Sequence, residues 1–129
     1  MARRRGVTMA IPPLSVCDIV AVHHARRHAF DFVRADRGAI EFVATRRTEW
    51  DGDYLAYAIA SMVFWPSRRA MRSTRVLRHE LCHVRQGQRL GHVWFAITYR
   101  WETWRRGYWC NRYERAARRA ERRPHATRR

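Results

Sequence analysis

A chain of 129 residues is long enough for one domain with a modest core and too short for two ordinary domains, and with 47% hydrophobic residues it reads as globular rather than disordered. The formal net charge is +16, and every one of the 27 basic residues is arginine, a usage that fits a GC-rich coding bias better than selection for phosphate contacts. The three cysteines, Cys17, Cys82 and Cys110, form no CxxC pair and argue against a disulfide scaffold.

Met1-Ala2-Arg3-Arg4-Arg5 has the basic character of a signal-peptide start. The apolar stretch behind it is interrupted by Pro12, Pro13 and Asp18, so residues 1–13 read as a basic flexible arm. No stretch reaches the roughly 18 uncharged apolar residues that a bilayer span requires, and a cytoplasmic protein is the default, with later export by a partner system left open. From Leu14 to about Val33 the apolar positions suit a first helix, which would carry His23, His24 and His28. His24 and His28 share a helix face, but no carboxylate or third ligand stands near them, so packed or solvated imidazoles are expected rather than a metal site.

Ile40, Phe42 and Ala44 alternate with Glu41, Val43 and Thr45, as in a strand, and Trp50-Asp51-Gly52-Asp53 is a turn signal. Tyr54 to Trp65 is apolar and aromatic and fits a strand, a strand pair, or a helix leading into a short strand at Met62–Trp65. Ser73-Thr74 is a candidate N-cap for a helix running to about Arg89 or Leu90, with Gly87 and Gly91 marking its end. A further helix is expected over 92–105. Gly107-Tyr108 breaks the chain, and Asn111 can cap a last helix through Arg119 or beyond. Residues 122–129 form a basic tail, read first as a solvated charge run.

The chemistry concentrates in His79-Glu80-Leu81-Cys82-His83. Histidines four apart on a helix project from one face and can hold one tetrahedral Zn2+ from a rigid base. Glu80, next to the first histidine, is placed to act as general base toward a water activated by the metal. The composition gives about 0.02 chance occurrences of such a motif in this chain. Cys82 points off the histidine face and is expected to pack rather than ligate. A catalytic site also needs a third ligand. Gln86 and Arg89 stand where metzincins need glycine and histidine, which excludes that class. His92, Glu102 and Glu114 remain, Glu102 lying 19 and Glu114 31 residues after His83. Asn111 and Glu114 also have the spacing of a capping box. Tyr99, Tyr108, Tyr113 and His92 are available as oxyanion stabilisers, against a competing role in a tryptophan-rich core.

The run HELCHVRQGQRLG, an aromatic helix, and then GYWCNRYERAA resembles the small gluzincin-type, or minigluzincin-like, zinc peptidase domains of bacteria. Their shared pattern is HExxHxxQ, a helix with a tyrosine, and a closing Asn-Pro-Tyr/Phe-Glu-x-x-Ala segment. The resemblance covers about residues 73–120, with Arg112 where those proteins usually have proline. It implies an α+β, zincin-like domain over 14–121, with a short N-terminal sheet and an active-site helix followed by two helices. It also implies His79, His83 and Glu114 as zinc ligands, Glu80 as general base, and a peptide or protein substrate. The Met62–Trp65 segment would be an edge strand on which an extended peptide lies, or an ordinary core strand. Two other readings stand beside this one. The first is a zinc-stabilised interaction module without catalysis. The second is an arginine-rich nucleic-acid binder, for which non-specific contact to nucleic acid or an anionic surface would suffice.

Overall fold

The described residues form a four-stranded mixed sheet and four α-helices, with one helix and all four strands in the first half of the chain and three helices in the second. The computed structural model describes residues 16–45 and 56–122. In chain order the elements are α1 (Val16–Arg27), β1 (Phe30–Arg34), β2 (Ile40–Ala44), β3 (Tyr57–Ile59), β4 (Met62–Trp65), α2 (Thr74–Leu90), α3 (His92–Arg106) and α4 (Arg112–Glu121), with a short 3-10 turn at Ala70–Arg72 before α2. The arm at 1–13, the expected turn at 50–53 and all of the tail beyond Arg122 lie outside the described residues.

The expected first helix from Leu14 to Val33 is shorter than that reading. α1 stops at Arg27, and Phe30–Arg34 is a strand. The break comes at Ala29, whose φ of 59° is left-handed and cannot continue a right-handed helix. Phe30, Phe32 and Val33 then belong to a β-rich run that pairs antiparallel with β2.

The sheet order is β1-β2-β4-β3, with β2 and β4 parallel and both outer pairs antiparallel. Both faces are covered. Phe30, Phe42, Met62 and Phe64 pack with Ala21 and Ala25 of α1, while Val43, Val63 and Trp65 pack with Val76, Leu77 and Val84 of α2. A strand buried on both sides has no polar face to show, which is why Met62–Trp65 is apolar throughout. That segment is therefore a central strand, correcting the edge-strand expectation; among the described residues the edges are β1 and β3. The pair β3–β4 resolves the ambiguous 54–65 segment, and Asp18 of α1 secures its turn by accepting from the Ser61 backbone N–H at 3.0 Å.

α2 begins at Ser73, whose hydroxyl accepts from the Val76 N–H at 3.1 Å. It runs through Gly87 rather than ending there. A Cβ at Gly87 would lie 2.6 Å from Nδ1 of His92, so the missing side chain is what lets α3 fold back closely against α2. Asn111 then closes the turn between α3 and α4. Its side chain is buried, donates to the Tyr99 carbonyl at 3.1 Å and the Thr103 hydroxyl at 2.9 Å, and accepts from the Tyr113 N–H at 2.8 Å. That closure lays α4 against α2, which sets the geometry of the site.

Candidate metal centre

One turn of α2 separates His79 from His83, and their rings lie 5.0 Å apart, centroid to centroid. α4 crosses the same face of α2 and brings Glu114 between them. His79 Nε2 is 3.1 Å from Glu114 Oε1, and His83 Nε2 is 3.0 Å from Glu114 Oε2. The three residues present ligand atoms within 4.8 Å of one another, and they are the only such group of histidine, cysteine or acidic side chains among the described residues.

The outer atoms of both rings are fixed. The Tyr113 carbonyl can only accept, so Gln86 turns its amide N–H toward it at 3.2 Å and its oxygen toward His83 Nδ1 at 2.9 Å. His83 Nδ1 therefore carries the proton, and its Nε2 lone pair faces the Glu114 carboxylate. That Nε2 is buried and has no hydrogen-bond partner of proper geometry, although a carboxylate oxygen sits 3.0 Å away. Two electron-pair donors held that close need a cation between them, so the residues present fit a metal ion. His79 Nδ1–H donates to Glu121 Oε2 at 2.5 Å, an outer carboxylate of the kind that orients and strengthens histidine ligands. Tyr99 donates its hydroxyl to Glu114 Oε2 at 2.5 Å and so orients the carboxylate.

The electrostatics match this layout. Burial pushes the Glu114 carboxyl up, but the contacts with His79 and His83 and the hydrogen bond from the Tyr99 hydroxyl outweigh it and hold the group well below the usual carboxylate range. Burial lowers His79, yet its contacts with Glu114 and Glu121 leave it raised overall. Glu80 is buried, and desolvation pushes it up to about 7 against the opposing pull of His83 and His79. Burial and then the Glu114 charge raise the Tyr108 hydroxyl to about 12, and burial followed by the hydrogen bond to Glu114 raises Tyr99 further.

The other candidates take different places. Glu102, the alternative ligand, does not reach the histidines. Its carboxylate accepts from the Arg112 backbone N–H at 3.3 Å and pairs with Arg106 and Arg112 side chains, which makes it a cap for α4. His92 lies against Gly87. Tyr113 is buried and donates to the Thr98 hydroxyl at 3.0 Å, outside the cluster. Cys82 is not part of the ligand group and receives a Gln86 N–H at 3.6 Å. The capping box is half formed: Asn111 caps α4, while Glu114 turns to the histidines instead of back to the Asn111 N–H, which donates to the Tyr108 carbonyl. On α1, His24 bonds the Tyr57 hydroxyl at 2.7 Å, a packed role as expected.

Glu121 was not visible as a functional residue in the sequence. The signal for it is its position seven residues, or two turns, after Glu114, which puts both carboxylates on one face of α4. Compared with protein-family models, curated proteins and solved structures, the chain matches none.

Proposed function

We propose that this chain is a zinc-dependent hydrolase of the gluzincin type, with a zincin-like fold, that cleaves peptide bonds. The observation that supports this best is the convergence of both HExxH imidazoles on Glu114, each with its outer N–H already held by a protein acceptor. His79, His83 and Glu114 would hold the metal, leaving a fourth position open as catalytic sites require. A zinc ion bound there supplies Lewis acidity, acidifying water and polarising a substrate carbonyl.

The chain's own residues supply the rest. Glu80, buried and tuned toward neutrality, is suited to accept a proton from the attacking water and to pass it to the departing amine. Tyr99 and Tyr108, both beside the Glu114 carboxylate, are the available oxyanion donors, and Tyr108, on the loop behind Gly107, is the more exposed of the two. β3, which is an edge strand among the described residues and packs on α2, is the strand along which an extended peptide would lie.

Arg112 stands where gluzincin-type segments carry proline. Proline is favoured at the first helical position because the N–H there lacks a helical partner. Here that N–H is accepted by Glu102, so the departure is compensated within the fold. Glu80→Gln separates catalysis from a purely structural metal: zinc content should persist while peptide hydrolysis falls by at least about 100-fold. Equal hydrolysis by the variant and the wild type would remove Glu80 from the mechanism.

A further inference from the structure

α3 is amphipathic in the reverse of the usual sense. Its inner face carries Phe95, Thr98, Tyr99 and Glu102, whereas its large apolar residues face outward. At about 100° per residue, Val93, Trp94, Ile97, Trp101 and Trp104 fall on one stripe about 100° wide, opposite Tyr99 and Glu102. Trp94 is 58%, Trp101 53% and Trp104 78% exposed. The Trp101 and Trp104 rings touch each other, with centroids 5.4 Å apart. These tryptophans were expected in the core and are instead on the surface; among the described residues the buried aromatics are Phe30, Phe42, Phe64, Trp65 and Tyr113.

The surroundings of the stripe indicate its occupant. On the same wheel Arg100 and Arg105 flank it on either side, both exposed, and the only acidic residue of α3, Glu102, is turned inward. The whole chain carries +16. Stacking two copies along this stripe would bring four rim arginines and two strongly positive chains together, so a second copy is disfavoured. Nucleic-acid strands bind grooves lined by stacked aromatics, whereas this is a convex helix face that includes Val93 and Ile97. Tryptophan favours the boundary between water and acyl chains, and arginine favours anionic headgroups.

We infer that the outer face of α3 is an interfacial membrane-binding surface, which lies on an anionic bilayer with its tryptophans among the headgroups and Arg100 and Arg105 on the lipid phosphates. The helix lies on the bilayer and does not cross it, since no helix among the described residues is long and apolar enough to span. The metal cluster sits on the opposite side of α3, on α2 and α4, so docking leaves it facing away from the lipid. The inference is independent of the proposed hydrolase.

The test is sedimentation of the full chain with vesicles of phosphatidylglycerol and phosphatidylcholine, and with phosphatidylcholine alone, for the wild type and Trp94→Ser/Trp101→Ser/Trp104→Ser. These side chains are exposed, so the variant should keep the wild-type circular dichroism and thermal midpoint. Wild type should bind the anionic vesicles with a blue-shifted tryptophan emission, and the variant should lose about tenfold or more in partitioning. Four results would overturn the inference. The first is no binding to anionic vesicles, and the second is equal binding by the variant. The third is a concentration-dependent dimer that the variant abolishes, and the fourth is a single-stranded oligonucleotide that quenches these tryptophans while vesicles do not.

Discussion

Glu121 offers the sharpest quantitative check on the proposed metal centre, because it touches His79, a proposed ligand, and not the proposed metal position itself. Its carboxylate accepts the His79 Nδ1–H at 2.5 Å and is mostly buried. Removing such an outer partner frees the imidazole to rotate and weakens it as a donor, which typically costs about 10–100-fold in metal affinity. That is about 1.4–2.8 kcal/mol. Glu121→Ala should fall toward the upper end, and Glu121→Gln, which keeps an accepting oxygen but no charge, toward the lower end. The second partner of Glu121, Arg75, is largely exposed and lies 3.4 Å away, so losing that pair should change fold stability by less than about 1 kcal/mol. Competition for zinc against a chromophoric chelator at neutral pH measures the affinity, and urea unfolding of the metal-free protein measures stability. Zinc affinity of Glu121→Ala within about twofold of wild type would refute the reasoning that His79 is positioned through its outer nitrogen.

Three further perturbations test the scaffold. Glu41 is fully buried and accepts from Trp65 Nε1 at 3.0 Å and from Arg34 and Arg37, so Glu41→Leu strands a buried N–H and two arginines and should cost about 3–5 kcal/mol in urea unfolding. Asn111→Ala removes two buried donated bonds and the α4 cap and should lower stability by about 2–3 kcal/mol, with a parallel loss of zinc affinity because α4 carries Glu114. His24 is lowered by burial and then by His28, so the unfolded chain takes up its proton first as pH falls. The His24 contribution is complete above the ordinary value near 6.5 and declines as pH drops below it, and the urea midpoint of His24→Phe should lack that component.

The helical half of the fold was legible because its signals are local. Ser73, Gly91, Gly107 and Asn111 each act within a turn of themselves, and the α2 to α4 boundaries follow from them. The HExxH spacing is equally local, so the shared face of His79 and His83 could be read directly. The N-terminal half was less legible. The end of α1 depends on a left-handed alanine, which no residue preference announces, and strand order depends on pairings between residues distant in sequence. The tryptophans of α3 were misplaced for a physical reason: periodicity shows that one face is apolar but not whether that face meets protein or solvent. Glu102 and Glu114 differed only in tertiary surroundings. Glu102 meets the Arg112 N–H, and Glu114 meets two imidazoles.

The proposed function requires that His79, His83 and Glu114 hold one zinc ion. Elemental analysis of purified wild type beside Glu114→Ala and Glu102→Ala tests this most directly. Wild type should hold close to one zinc per chain, retained in the Glu102 variant and lost or sharply reduced in the Glu114 variant. A folded wild type without zinc after exposure to it, or a Glu114 variant that keeps its full zinc content, would show that these three residues do not form the site.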